Sequence, residues 1–473
     1  MSASWIRTVP LLVLIVLLKS SSAAEGDAKP AAAPTDTLVP FNEAGKWGFV
    51  ARDAKGVEFA LPPAYELAYP FASGRAAVKQ NNLWGFIDDK GALVVPCQYD
   101  DVQRGTFRAG VAVVKKAAQY GVIDREGKEI LPLKFKNITL DEKEGRIVAA
   151  IPHPTDANDF NGLNGLYDLS GKNLLPHEYS QIYAWFKNGV TAVQKEGKYG
   201  LASSDGKLLS PLQYEQILHA DITHFIAVKD KGQTNDVYDE HGRLLFSAPY
   251  PYVGALVDNR SVFKDPATKL NGYLDATGKI ALSAQFVLAG QFSEGLAIVQ
   301  RKIGGPVEAI DAAGKTVGAA ANAFIRMDKF KNGHVWLADR TDKKVYLYNK
   351  KLEKEFAQGF YYATEFDENG LARAQSEAKI NGLINLKGEW VLKPEWSFIE
   401  LSSVPGQYIV KKDKESGIVN AAGQVLFKPQ AVSIEKWDAQ FVKIAPPGFS
   451  RDGSYHCLWR SDGVPYYVAK KPE

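Results

Sequence analysis

Histidine and cysteine are scarce in this chain, seven and two residues, and their spacing suits no known reaction centre. His219 and His224 stand five apart, without the acidic partner of a His-Glu-x-x-His helix. His153 with Asp156 and Asp159 is the nearest thing to a ligand cluster, and a solvated loop accounts for it better. Gly314-Lys315-Thr316 looks like the end of a phosphate-binding loop, but that loop needs a glycine where Ala309 stands. Asp311 with Gly314 makes the segment a hairpin turn instead. No Gly-x-Ser-x-Gly elbow occurs, and one Asp per turn does not supply the alternating oxygen ligands of a calcium loop. The expectation is a protein that is not an enzyme and that holds no metal and no cofactor.

The acids that remain belong to a repeat. Asn81 to Lys116 contains Trp84-Gly85-Phe86-Ile87-Asp88-Asp89-Lys90-Gly91, then Leu93-Val94-Val95-Pro96, Tyr99-Asp100-Asp101-Val102, Phe107, and Gly110 before Val111-Ala112-Val113-Val114. Gly-x5-Gly with Asp or Asn three residues before the second glycine recurs at 85/91, 121/127, 165/171, 200/206, 272/278, 382/388 and 417/423. Degenerate copies end at Gly56, Gly242, Gly314, Leu352 and Gly463, which makes twelve units of about 37 residues. Asp at i with Gly at i+3 is a tight-turn signature, because the carboxylate takes backbone N–H groups and glycine accepts φ > 0. Asp88 with Gly91, Asp124 with Gly127, Asp168 with Gly171 and Asp275 with Gly278 are the clearest structural turns. Apolar alternation on both sides makes each a hairpin. Proline five or six residues later (Pro96, Pro132, Pro176) is expected to stop the second strand, since it cannot donate to a ladder.

The predicted fold is all-β: about twelve tandem β-meanders stacked as propeller-like blades, with an open β-superhelix or solenoid as the alternative. The weak stretch Pro249 to Lys269 places a division between repeats 1–6 (41–255) and repeats 7–12 (256–473). Cys97 and Cys457 fall in units 2 and 12. A disulfide between them requires those units to meet, because bridged Cα atoms lie only ~4.4–6.8 Å apart. Two buried free thiols are the other reading.

Aromatic rings are the candidates for binding. Most replace Tyr, Phe or Ile of other units, which is core packing. Trp185, Tyr361 and Tyr362 have no equivalent ring in neighbouring units and are the predicted binding residues. Such rings serve as stacking platforms for sugars or as hot spots at protein interfaces.

The first residues read as a targeting segment. Arg7 precedes an apolar run from Val9 to Leu18 and the small residues Ser20 to Ala24, the pattern of a signal peptide over 1–24. The Ala/Pro-rich stretch 25–40 reads as a flexible linker. The mature chain is therefore expected to be exported, periplasmic or secreted, without a transmembrane segment. Loss of Arg7 and Lys19 takes the formal charge from +3 to +1, too little to hold a nucleic acid.

The pattern Trp-Gly-Phe-Ile-Asp-x-x-Gly, an apolar run with Pro, Tyr-Asp-x-Val and Phe-x-x-Gly-x-Ala resembles the bacterial WG-repeat proteins, from about Lys46 to Val464. The Trp survives at Trp47 and Trp84, while Tyr120, Tyr199, Asn164, Asn271 and Asn381 replace it elsewhere. That family is defined by repetition, so the resemblance implies a binding or scaffolding role and transfers no catalytic residue. The reading is an exported, non-enzymatic scaffold for a protein partner in the cell envelope or outside the cell. A carbohydrate or peptidoglycan binder using exposed aromatics is the alternative.

Overall fold

The structure, a computed structural model, describes residues 38–43, 45–51, 59–155, 162–184, 186–219, 224–436, 441–445, 457–460 and 465–468. The targeting segment, Trp185, Asp156, Asp159, Gly56 and Gly463 lie outside these residues, as does the side chain of Cys457. Everything described belongs to one unit that begins at Thr35.

Among the described residues twelve antiparallel sheets follow one another, each of three or four strands paired in chain order. In unit 2 the strands are Leu67–Ala68, Ala76–Gln80, Leu83–Ile87 and Leu93–Tyr99. The next sheet begins at Asp101–Val102, one residue later. The repeated stretch Asn81 to Lys116 therefore straddles two sheets: it supplies the last two strands of one and the first two of the next. Sequence unit and structural unit are out of phase.

Turn chemistry explains the meander. Ser73 and Gly74 join the first two strands with φ of 53° and 78°, and Asn81 and Asn82 join the next two with 53° and 63°. Two central residues at positive φ are the hairpin turn whose twist matches that of the strands. The third connection is the predicted Asp turn. Asp88 Oδ1 accepts from the amides of Lys90 (3.0 Å) and Ala92 (2.8 Å), and Gly91 N donates to Asp88 O. Asp124, Asp168, Asp275 and Asp311 repeat this arrangement, the last in place of any phosphate loop. Asn349, Asn385 and Asn420 accept the same two amides.

Proline does not end the fourth strand. Pro96 lies within Leu93–Tyr99, where the pairing slips from Phe86↔Val95 to Trp84↔Tyr99. Four residues of one strand thus face two of the other, so Pro96 sits in a bulge where its missing N–H breaks no ladder bond. The bulge presses on Gly85, whose added Cβ would lie 2.5 Å from Val95 O. Gly48, Gly272 and Gly382 lie equally tight under the last strands of their own sheets. Units 6 and 8 bear out the coupling by departing from it. They carry Asp236 and Glu308 at this position, and their fourth strands pair there without slipping (Asp236↔Ser247, Glu308↔Ala319).

The namesake position likewise has two solutions. Trp84 is buried opposite Tyr99. Where Asn stands instead, its amide caps the carbonyls at the end of the sheet's last strand: Asn271 donates to Phe286 and Val287, and Asn381 to Trp396 and Ser397.

The core lies between sheets. Ala77, Trp84, Phe86, Val95 and Tyr99 of unit 2 pack with Val102, Phe107, Ala112, Val114 and Ile123 of unit 3. A three- or four-stranded meander cannot bury its apolar face alone, so neighbours must share it. Two further contacts stitch units together. The turn glycine of one unit lies against the last strand of the unit before: Gly91 on Leu61, Gly127 on Val95, Gly171 on Ile130, Gly278 on Phe246 and Gly314 on Leu282. Arginines at the second strand reach forward, Arg75 Nε to Arg125 O (3.0 Å) and Arg260 Nη2 to Ala312 O (2.9 Å).

Gly171 serves more than its turn. It does close the turn, at φ +85° with its N–H donating to Asp168 O at 3.1 Å. A Cβ there, however, would also stand 2.6 Å from the backbone oxygen of Ile130 in the preceding unit. Stacking of one sheet on the next demands glycine at 171 for space as well as for φ, a requirement that a local turn signature cannot express.

Candidate functional site

Unit 9 departs from the repeat beside the predicted binding residues Tyr361 and Tyr362 of unit 10. Unit 2 follows its first strand with Tyr69-Pro70-Phe71, whereas unit 9 follows Ala323–Ile325 with Arg326-Met327-Asp328-Lys329-Phe330. Phe330 is buried as Phe71 is, so the anchor is kept and the charges are carried to the surface. The first strand of unit 10, Tyr362–Ala363, pairs with Ala372–Gln375 and sets Tyr362 beside that segment.

The result is an open depression lined by Arg326, Met327, Asp328, Lys329, Tyr362 and Thr364. Glu365 stands at its rim, tied to Lys331 at 2.7 Å. The guanidinium carbons of Arg326 and Arg373 each lie 5.9 Å from the Tyr362 ring centroid, within cation–π range. Arg373 Nη1 donates to Ile399 O at 3.2 Å, while its Nε is buried without an acceptor among the described residues. A smaller cavity adjoins, sharing Met327, Lys329 and Glu365 and reaching His334 and Trp336. Trp336 is held against Phe356, Phe360 and Phe366, and its indole N–H also lacks an acceptor among the described residues. His334 Nε2 faces Glu355 at 3.3 Å.

Of the predicted binding residues, Tyr361 is 48% exposed and Tyr362 half-buried, whereas Trp185 is outside the described residues. Lys379 Nζ lies 4.7 Å from the Tyr361 centroid. Tyr361 and Tyr362 are therefore accompanied by cations rather than by further rings. Arg326, Lys329, Trp336 and Arg373 were invisible as a group in the sequence, although unit 9's break from the repeat was a usable signal.

The other sequence candidates serve structure. Asp88, Asp124, Asp168 and Asp275 spend their carboxylates on hairpins, and Gly91, Gly127, Gly171 and Gly278 spend their positive φ there. The hydroxyl of Ser170, ahead of the backbone amides, holds Asp168 below the usual carboxylate range, and Thr277 does the same for Asp275. Cys97 is a free, half-buried thiol whose Sγ lies 3.9 Å from Val78 O, and burial pushes its pKa up. Among the described residues no group of three or more His, Cys, Asp or Glu could hold a metal ion, and no helix is long and apolar enough to cross a membrane.

One buried polar cluster falls outside the turns. Asp236 Oδ2 accepts from Tyr214 Oη (2.8 Å) and Lys229 Nζ (2.9 Å), and its Oδ1 accepts from Ser247 Oγ (2.6 Å). Every carboxylate oxygen is thus satisfied from within, which is the behaviour of a structural pair.

The family described as WG containing repeat matches at residues 58–84, 84–117, 120–150, 165–199, 272–302 and 382–414. The Asp- or Asn-turns of units 6, 8, 9 and 11 fall outside these matches. No curated protein matches the chain. Similar solved structures include a crystal structure of the eukaryotic initiation factor, at 8% identity over 84% of this chain and 98% of that one, TM-score 0.36. Kluyveromyces lactis Hsv2 is similar at 12% identity over 48% and 87%, TM-score 0.28. Citrobacter koseri AztD is similar at 13% over 66% and 91%, TM-score 0.24.

Proposed function

We propose that this chain, which belongs to the WG-repeat family, is an exported, non-enzymatic scaffold that binds a protein partner in the cell envelope or outside the cell. One observation carries the reading. The repeated acids are spent on hairpin turns, and the departure of unit 9 from the repeat produces, beside unit 10, an exposed, mixed-charge depression. Regular units serve as framework and irregular ones as recognition surface. Export rests on the charged, apolar and small-residue order of residues 1–24.

The carbohydrate reading is the weaker. Sugar stacking needs an open ring face, and both Tyr361 and Tyr362 carry cations within cation–π distance.

Affinity capture tests the proposal. Residues 25–473, tagged and cross-linked in native envelope extract, are compared with the same extract treated with protease. The expected result is one enriched protein, lost on protease treatment. Capture of a protease-resistant glycan would overturn it. Fractionation of cells carrying the full chain tests export, and an uncleaved chain confined to the cytoplasm would refute that part.

A further inference from the structure

The adjoining cavities of units 9 and 10 concentrate unmet hydrogen-bonding capacity. Burying an N–H donor without an acceptor costs about 1–3 kcal/mol, so such groups are few in a folded chain. Trp336 Nε1 and Arg373 Nε both meet that description here, one lining the smaller cavity and the other behind Tyr362. Trp336 is only 2% exposed, and its ring is packed against three phenylalanines. His334 Nδ1, in the same cavity, is unpartnered among the described residues as well.

Charge points the same way. Arg326 and Lys329 form no ion pair or hydrogen bond among the described residues, and the Arg373 guanidinium, beside the Tyr362 ring, has a backbone carbonyl and no carboxylate as its partner there. Glu365 is paired with Lys331, which leaves Arg326 and Lys329 at the rim and Arg373 behind Tyr362 against Asp328 and the Glu355 that faces His334, an excess of one positive charge. A basic excess with unpartnered donors calls for a ligand rich in acceptors and negative charge.

We propose that the two depressions form one docking site for an acidic peptide segment of the partner protein. Carboxylates of the segment pair with Arg326 and Lys329 at the rim, and one acceptor reaches the indole N–H of Trp336. Met327 and Thr364 supply the neutral floor between them. An open site suits a chain passing through it rather than an enclosed small anion, and the cation-covered tyrosines disfavour a sugar. This inference rests on the scaffold reading and gives its partner a chemistry.

The test uses residues 25–473 and a fluorescein-labelled Glu-Gly repeat peptide, followed by anisotropy at low and high salt. The expected result is binding that weakens with salt and falls about tenfold or more in Arg326→Gln/Lys329→Gln, as loss of paired interfacial charges predicts. Both residues are free of intramolecular hydrogen bonds and ion pairs among the described residues, so the circular dichroism of this variant should match the parent. Trp336→Phe keeps the ring packing, removes the N–H, and should weaken binding independently of salt. Unchanged affinity in both variants overturns the proposal, as does free glutarate binding as tightly as the peptide, or a uronic-acid oligosaccharide displacing it. A partner captured equally by the parent and by Arg326→Gln/Lys329→Gln would remove this inference and leave the scaffold reading standing.

Discussion

Val95 lies over Gly85 so closely that a Cβ on the glycine would stand 2.5 Å from the Val95 carbonyl oxygen and 2.7 Å from Cys97 N. Gly85 is needed for space and not for φ, whereas Gly110, at φ +82° with nothing within 4 Å, is needed for φ and not for space. Gly85→Ala should therefore cost about 3 kcal/mol by overpacking. Gly110→Ala should cost about 1–2 kcal/mol by left-handed strain alone. Urea unfolding of the two variants measures both, and equal losses would contradict the distinction.

Acid should weaken the turns. Asp168 and Asp275 are held below the ordinary carboxylate value by the hydroxyls of Ser170 and Thr277 and by backbone amides. A carboxyl depressed in the folded chain stabilises it at pH above the unfolded value of about 3.9, and that contribution disappears as pH falls through the lower folded value. Thermal stability is expected to stay level down to about pH 4 from this source and to drop below it. Asp168→Asn keeps the acceptor, as Asn349, Asn385 and Asn420 do, and should lose less stability between those conditions than the parent.

Arg75 is a link between units. Its guanidinium donates to Arg125 O and Gly74 O while its side chain is 19% exposed. Arg75→Ala should lower stability by about 1–2 kcal/mol. Arg75→Lys should recover only part of that, because one ammonium cannot serve both carbonyls in the plane of a fork. Hydrogen exchange localises the loss: the turn at Asp124–Gly127 should open faster.

Stabilisation is available at Ala117-Ala118. Both sit in a hairpin turn at positive φ, 48° and 67°, and both are exposed. Replacing the pair by Asn-Gly fits the turn and should add about 1 kcal/mol, read as a higher urea midpoint with unchanged slope.

Asp236 anchors unit 6. Asp236→Ala leaves Lys229 and the hydroxyls of Tyr214 and Ser247 without their acceptor and should cost about 3 kcal/mol. Asp236→Gly should not rescue it, because the fourth strand lacks the bulge that a glycine there normally receives. A rescue would show that the straight strand is independent of residue 236.

The number of units, their all-β character and the Asp or Asn turns were determined by sequence because they are local. A carboxylate two residues from the amide it accepts, with a glycine next to it, specifies a hairpin wherever it stands. Tertiary structure decided what depends on neighbours in space. The sheet boundary falls after Tyr99, not at the repeat's apparent edge, because apolar faces are shared between units. Pro96 lies in a bulge rather than at a strand end, and Gly85 answers to that bulge from ten residues away. Gly171 is legible as a turn residue, but its second duty, clearing the Ile130 carbonyl of the unit before, exists only once the sheets stack. The candidate site is the extreme case. Arg326, Trp336, Tyr362 and Arg373 span 48 positions of two units, and only the stacking of one sheet on the next brings their charges and unpartnered donors to one surface.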